Sequence, residues 1–236
     1  ALARDPHNAQ AWLTTATLDM VQGRYAAAAD DCAKVSRYGG SVTGIACAGN
    51  LHTYTGQARQ AIVLLRQIDA DVPAVTPAFK AWVQGLMAEA CERLGDWSEA
   101  ESHYRNALAA TPNDNFLQVA YADFLLDRGR PAEVLPLLAR SLQSDTAYLR
   151  VALAHAALGM PDTANYTWIM AARFEALKQR GDDFYGREQV RFALYLQHDP
   201  GTALELALQN WKVQRAPWDA RVLLEAAKAA GRPAAA

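Results

Sequence analysis

Only three cysteines occur in the 236 residues, and no Cys-x-x-Cys pair is among them. His-Glu-x-x-His and Cys-x-x-Cys-His are missing as well, so neither a zinc nor a haem signature is present. No glycine-rich loop of Gly-x-Gly-x-x-Gly type stands ready to cradle a phosphate, and no Gly-x-Ser-x-Gly elbow raises a nucleophile. Charge of one sign is also lacking. Against 23 Lys and Arg stand 25 Asp and Glu, a net charge of −2, whereas nucleic-acid binders concentrate cations to displace counterions. No apolar run approaches the roughly 20 residues that span a bilayer. These absences predict no enzymatic activity, no cofactor, no metal, no nucleic-acid partner and no membrane span.

What is there is a core and a rhythm. The chain is 51% apolar and 9% aromatic, a composition that buries a core rather than staying disordered. Alanine-rich stretches are broken by a glycine followed by a polar or aromatic residue. The phrase reads Leu94-Gly95-Asp96-Trp97, Arg128-Gly129-Arg130-Pro131 and Leu158-Gly159-Met160-Pro161, with fainter copies at Gln22-Gly23-Arg24-Tyr25 and Thr55-Gly56-Gln57-Ala58. From Gly23 to Gly159 the spacing averages about 34 residues, and self-similarity at such a period marks stacked helical hairpins. Gly231 belongs to the same series, with the Asp199-Pro200-Gly201 turn as the break between.

Residues 81–112 carry a fuller pattern: Ala88 on a first helix, Gly95 and Trp97 at the turn, Ala100, Tyr104 and Ala107 on a second helix, and Pro112 closing the unit. This stretch resembles a tetratricopeptide repeat (TPR). Small residues are needed where helices A and B touch, because axes about 8–10 Å apart leave no room for long side chains. Trp12, Ala16, Gly23, Tyr25 and Ala28 repeat the pattern, as do Gly49, Gly56 and Ala61, then Ala122 and Gly129, then Ala152, Gly159 and Ala164. The resemblance implies an all-α fold, a right-handed α-α superhelix (solenoid) of about six hairpins and a final half repeat. One domain over 1–236 is expected, with approximate repeats 7–40, 41–72, 78–112, 113–144, 145–181, 182–215 and a partial 216–236.

Departures are expected too. Pro136 should kink or shorten its helix. A double-proline linker spans 69–77, the second helix of the fifth unit runs long toward Arg180, and Arg191 falls where the sixth unit wants alanine. Asp182 and Asp183 read as an exposed helix end. Ala1 to Pro6 look like the close of a repeat, and Gly231-Arg232-Pro233-Ala234 restates Gly129-Arg130-Pro131-Ala132, so the natural protein is expected to extend past both ends.

Cys32 and Cys47 lie on neighbouring expected helices, so their sulfurs can approach; a disulfide and two small buried hydrophobes are the alternatives. A bridge would point to an oxidising compartment. Together with a resemblance to exported bacterial TPR proteins, this implies a periplasmic or secreted location, a cytoplasmic one being the alternative. Cys91 reads as buried and inert. His52 and His155 occupy matching positions suited to core or groove packing, and His103 reads as solvated.

In TPR proteins helix A lines the concave side. Carried over, the family's groove positions are Asn50, flanked by Tyr54, in the second unit, Trp82, Glu89 and Glu92 in the third, and Phe116 and Asp123 in the fourth, with Asp127 close by. The lysines, arginine and asparagines that clamp chaperone tails are represented only by Asn50. Acidic residues between aromatics suit a protein or peptide segment carrying Lys or Arg. The alternative is that the acids are merely solvated while Trp82 and Phe116 pack between units. The function implied is a non-catalytic protein-interaction scaffold with a peptide-binding groove, homo-oligomerisation through exposed terminal repeats being a further expectation. The alternative is an oligomerising or regulatory TPR domain of a larger protein whose catalytic part lies elsewhere.

Overall fold

The computed structural model describes residues 2–71, 76–181 and 186–236, and among them thirteen α-helices and no strand. Asp182 and Asp183, and the centre of the double-proline linker at 72–75, lie outside the described residues. The chain packs as two compact units, Ala1–Asn113 and Asp114–Ala236.

The first unit holds α1 (Ala9–Val21), α2 (Tyr25–Gly39), α3 (Ser41–Tyr54), α4 (Ala58–Asp71), α5 (Pro77–Leu94) and α6 (Trp97–Ala110). The second holds α7 (Asn115–Asp127), α8 (Pro131–Leu138), α9 (Asp145–Ala157), α10 (Thr163–Gln179), α11 (Gly186–Tyr195), α12 (Pro200–Trp211), α13 (Pro217–Ala229) and a closing 3-10 turn, Pro233–Ala235. Helices pack in consecutive pairs, and the first helices of neighbouring hairpins also touch: α1 on α3 and α3 on α5, then α7 on α9, α9 on α11 and α11 on α13. This is an all-α helical-repeat fold.

Local chemistry sets the helix ends. Asn8, Thr76, Asp114, Ser144 and Asp199 each accept a backbone N–H at the start of α1, α5, α7, α9 and α12, satisfying a donor the helix leaves unpaired. The glycines of the repeat series all have positive φ, from 63° at Gly159 to 79° at Gly56. Gly95 shows why: at φ 78°, ψ 14° it is left-handed while its N–H reaches back to Cys91 and Glu92 carbonyls, a conformation that costs a residue with a Cβ roughly 1–2 kcal/mol. The break before α12 is different, because the positive φ there belongs to His198 (54°).

Pro136 sits inside α8, which has only 8 residues, and α10 runs to 17. Ala16, Ala28, Ala61, Ala88, Ala100, Ala107, Ala122 and Ala152 are fully buried. Ala164 is not: it is exposed in the first turn of α10. The contact face of that helix carries bulky Met170, Phe174 and Leu177 instead. At Gly44 an added Cβ would come within 2.6 Å of the Ser36 Cα, so α2 and α3 meet backbone to backbone. Alanine in place of a mid-helix glycine ordinarily gains about 1 kcal/mol. Overpacking costs about 1–3 kcal/mol, and here the obstructing atom is backbone, so Gly44→Ala is expected to lower the urea midpoint rather than raise it.

Candidate functional site

The expected groove residues of the first unit are mostly drawn into its packing. Tyr54 lies against the cluster of Ala16, Met20, Ala28, Cys32, Val35 and Cys47. Trp82 packs on Ala46, Leu65, Val83 and Leu86, edge-on to Phe79 with ring centroids 5.5 Å apart. Every residue of α5 from Val83 to Cys91 is buried, Glu89 included. Glu89 is therefore not the open groove acid that the sequence predicts, because the helix has no solvent face over that stretch. Glu92 accepts the Tyr104 hydroxyl proton, and Asn50 is half-buried.

Cys32 and Cys47 are joined, with Cα atoms 5.5 Å apart, tying α2 to α3. The free Cys91 is buried, and burial pushes its thiol up to about 11, so the reactive thiolate is suppressed. His103 departs from the solvated reading: its Nδ1 lies 2.7 Å from the Gln84 Oε1, against α5. His155 is buried, 2.8 Å from the Asp162 carboxylate, with its ring tilted against that of Tyr166 at a centroid distance of 4.0 Å.

The second unit divides the remaining candidates. Phe116, in the first turn of α7, is 69% exposed. Asp123 and Asp127 are both already paired with arginines. Arg150 of α9 grips the Asp123 carboxylate with Nε at 2.9 Å and Nη2 at 2.7 Å. Arg191 of α11 donates to the same group at 2.6 Å. The other side of the Arg150 guanidinium donates to Glu188 and to the Thr146 carbonyl, and Arg187 approaches Glu188 at 3.3 Å. Arg150 is 1% exposed, so α7, α9 and α11 are pinned together by a buried charge whose donors are used. Asp127 is held by Arg221 of α13, whose Nη2 lies 2.7 Å from its Oδ1.

The titration behaviour follows. Burial alone would raise the Asp123 carboxyl, but Arg150 and Arg191 overcome it and hold it well below the usual carboxylate range. Glu188 is lowered in the same way, burial being outweighed by Arg150, Arg187 and Arg191. Asp219 goes up, because burial there exceeds the help of Arg187 and of the Asn210 amide. An open acidic face awaiting a basic ligand is thus corrected at Asp123 and Asp127: each already carries its cation.

A family model for the tetratricopeptide repeat matches residues 81–124, which cover the end of the first unit and the start of the second. The chain thus holds a tetratricopeptide repeat over that stretch, set within an all-α array of paired helices. Repeats of this family generally mediate protein–protein interaction. No curated protein matches the sequence. Among the described residues, no helix is long and apolar enough to cross a membrane, and no group of three His, Cys, Asp or Glu side chains is placed to hold a metal.

Sequence reasoning passed over Arg150, Glu188 and Arg221. One signal for the first is a lone cation inside the apolar run Tyr148-Leu149-Arg150-Val151-Ala152-Leu153, since buried charge occurs only when paired. Arg191, which misfits its repeat position, is explained by its bond to Asp123.

Proposed function

We propose that this protein is a non-catalytic scaffold that receives a protein or peptide segment along its A-helix side, with the Phe116 ring as an anchor. The supporting observation is the exposure of that ring at the head of an A helix, since aromatic anchors dominate interaction hot spots. A basic partner segment draws little support from the second unit, where arginines of the same chain neutralise Asp123 and Asp127. Apolar recognition at Phe116 is the better-supported chemistry. The Cys32–Cys47 bond supports a periplasmic or secreted, oxidising setting, which an exported bacterial protein would meet.

The test places a benzophenone amino acid at Phe116 and, as a control, at Trp168, which is 70% exposed on the B helix α10. Irradiation in the native extract is expected to give a discrete adduct from position 116 and none from 168. Adducts from 168 alone, or equal adducts from both, would remove the A-side reading. A second reading, self-association through the terminal repeats, is supported by exposed Leu18 on α1 and Leu224 on α13. A single monomeric species in sedimentation at rising concentration would dispose of it.

A further inference from the structure

The Asp127–Arg221 pair joins residues 94 apart in sequence. Between their helices, α7 and α13, stand two further A helices, α9 and α11. Neighbouring axes about 8–10 Å apart would set α7 and α13 far beyond side-chain reach if the row were flat. The guanidinium nevertheless takes both oxygens of the carboxylate, so the A-helix side of the second unit is bridged at the level of Asp127.

That bridge rests on charge. The core that seats α13 consists of Val190 and Ala193 of α11, Ala203, Leu204 and Ala207 of α12, and Val222, Leu223, Ala226 and Ala227 of α13 itself, with no residue of α7 in it. The two ionic contacts on this side differ in kind. Arg150 is buried and its network is shielded from salt, whereas the Arg221 and Asp127 side chains are 45% and 33% exposed and lie within reach of screening ions. Arg221 also has a second partner: its Nε donates to Glu225 at 2.8 Å, and Glu225 is held in turn by the Tyr195 hydroxyl at 2.6 Å. Opening the bridge leaves Arg221 paired on its own helix and Asp127 in water, so neither charge is stranded. Closing places a cation at the C-terminus of α7, where the helix dipole favours one.

We propose that Asp127–Arg221 is a salt-sensitive latch that closes the A-helix side of the second unit, and that its release lets α13 move away from α7 while the Arg150 network stays intact. The latch goes beyond the scaffold reading and stands whether or not a partner uses this side.

The test uses the full chain with nitroxide labels on Ala132→Cys, in α8 just past α7, and Lys228→Cys in α13, both exposed. The native cysteines are bonded or buried and stay unlabelled. Pulsed dipolar spectroscopy at low salt is expected to give one narrow distance. Asp127→Asn, or 1 M NaCl on the otherwise unchanged protein, should add a longer component by several ångström. Exchanging the charges, Asp127→Arg with Arg221→Asp, should restore the short one at low salt. A distance unmoved by both Asp127→Asn and salt would make the pair a passive surface contact and overturn the latch. A lengthening that the charge exchange fails to reverse would do the same.

Discussion

Arg150→Met is expected to destabilise the second unit by about 3–5 kcal/mol, the cost of breaking a buried ion pair by removing one partner. Methionine fills much of the space, so the loss is not chiefly a cavity. It comes from leaving half-buried Asp123 with Arg191, and buried Glu188 with Arg187, as the remaining cations bonded to them among the described residues. The pH dependence carries the same signature. Asp123 and Glu188 have folded-state values below their unfolded ones. Their contribution is therefore present above the unfolded value, about 4, and is lost as the pH falls through the folded values. Asp219, raised by burial, works in the opposite sense, stabilising at low pH and losing that contribution as the pH rises through its folded value. In Arg150→Met the first contribution shrinks, so the wild-type loss of stability between roughly pH 5 and 3 should be blunted. Urea melts across that range, followed by exchange of α9 amides, measure both effects. Wild-type stability in the variant at pH 7 would show that the network is dispensable.

Removing the disulfide, as Cys32→Ala with Cys47→Ala, is expected to cost the first unit about 3 kcal/mol, the chain-entropy value for a loop near 15 residues. The separation here is 15. Both positions sit among fully buried Ala16, Ala28 and Val35, so trimming the sulfurs adds a small packing loss to the entropic one. The effect should be confined to the first unit: protease cleavage within α1–α4 at elevated temperature should rise in the variant while that within α9–α13 stays as in the wild type. Equal loss in both would mean that the two units unfold together and the bridge stabilises the whole chain.

Much of the fold was legible because its determinant is local. A glycine that must turn left-handed between two helices announces itself, and each glycine of the series has positive φ. At the sixth break, beside the expected Asp199-Pro200-Gly201 turn, the left-handed residue is His198, whose backbone is not written in its residue type. Ala164 misled because it stands in the first turn of α10, on the exposed side, while the helix packs through Met170, Phe174 and Leu177. The candidate site was legible only as charges on positions. That Asp123 and Asp127 lie on an A helix followed from the repeat register, but their partners come from 27, 68 and 94 residues downstream. No local pattern encodes such long-range pairing. Glu89 failed for a related reason: helical periodicity says which residues share a face and not whether something covers it.

The second unit neutralises its own A-side acids, Asp123 and Asp127. Carboxyl carbon NMR of aspartate-labelled protein, with Asp123 assigned by its Asn variant, tests it directly. The Asp123 signal is expected to stay in its ionised position as the pH is lowered past about 3, beyond the ordinary aspartate midpoint near 3.9. A midpoint at or above that ordinary value would contradict the account, since it would mean that Arg150 and Arg191 do not hold the carboxylate and that the acid stands open to a ligand.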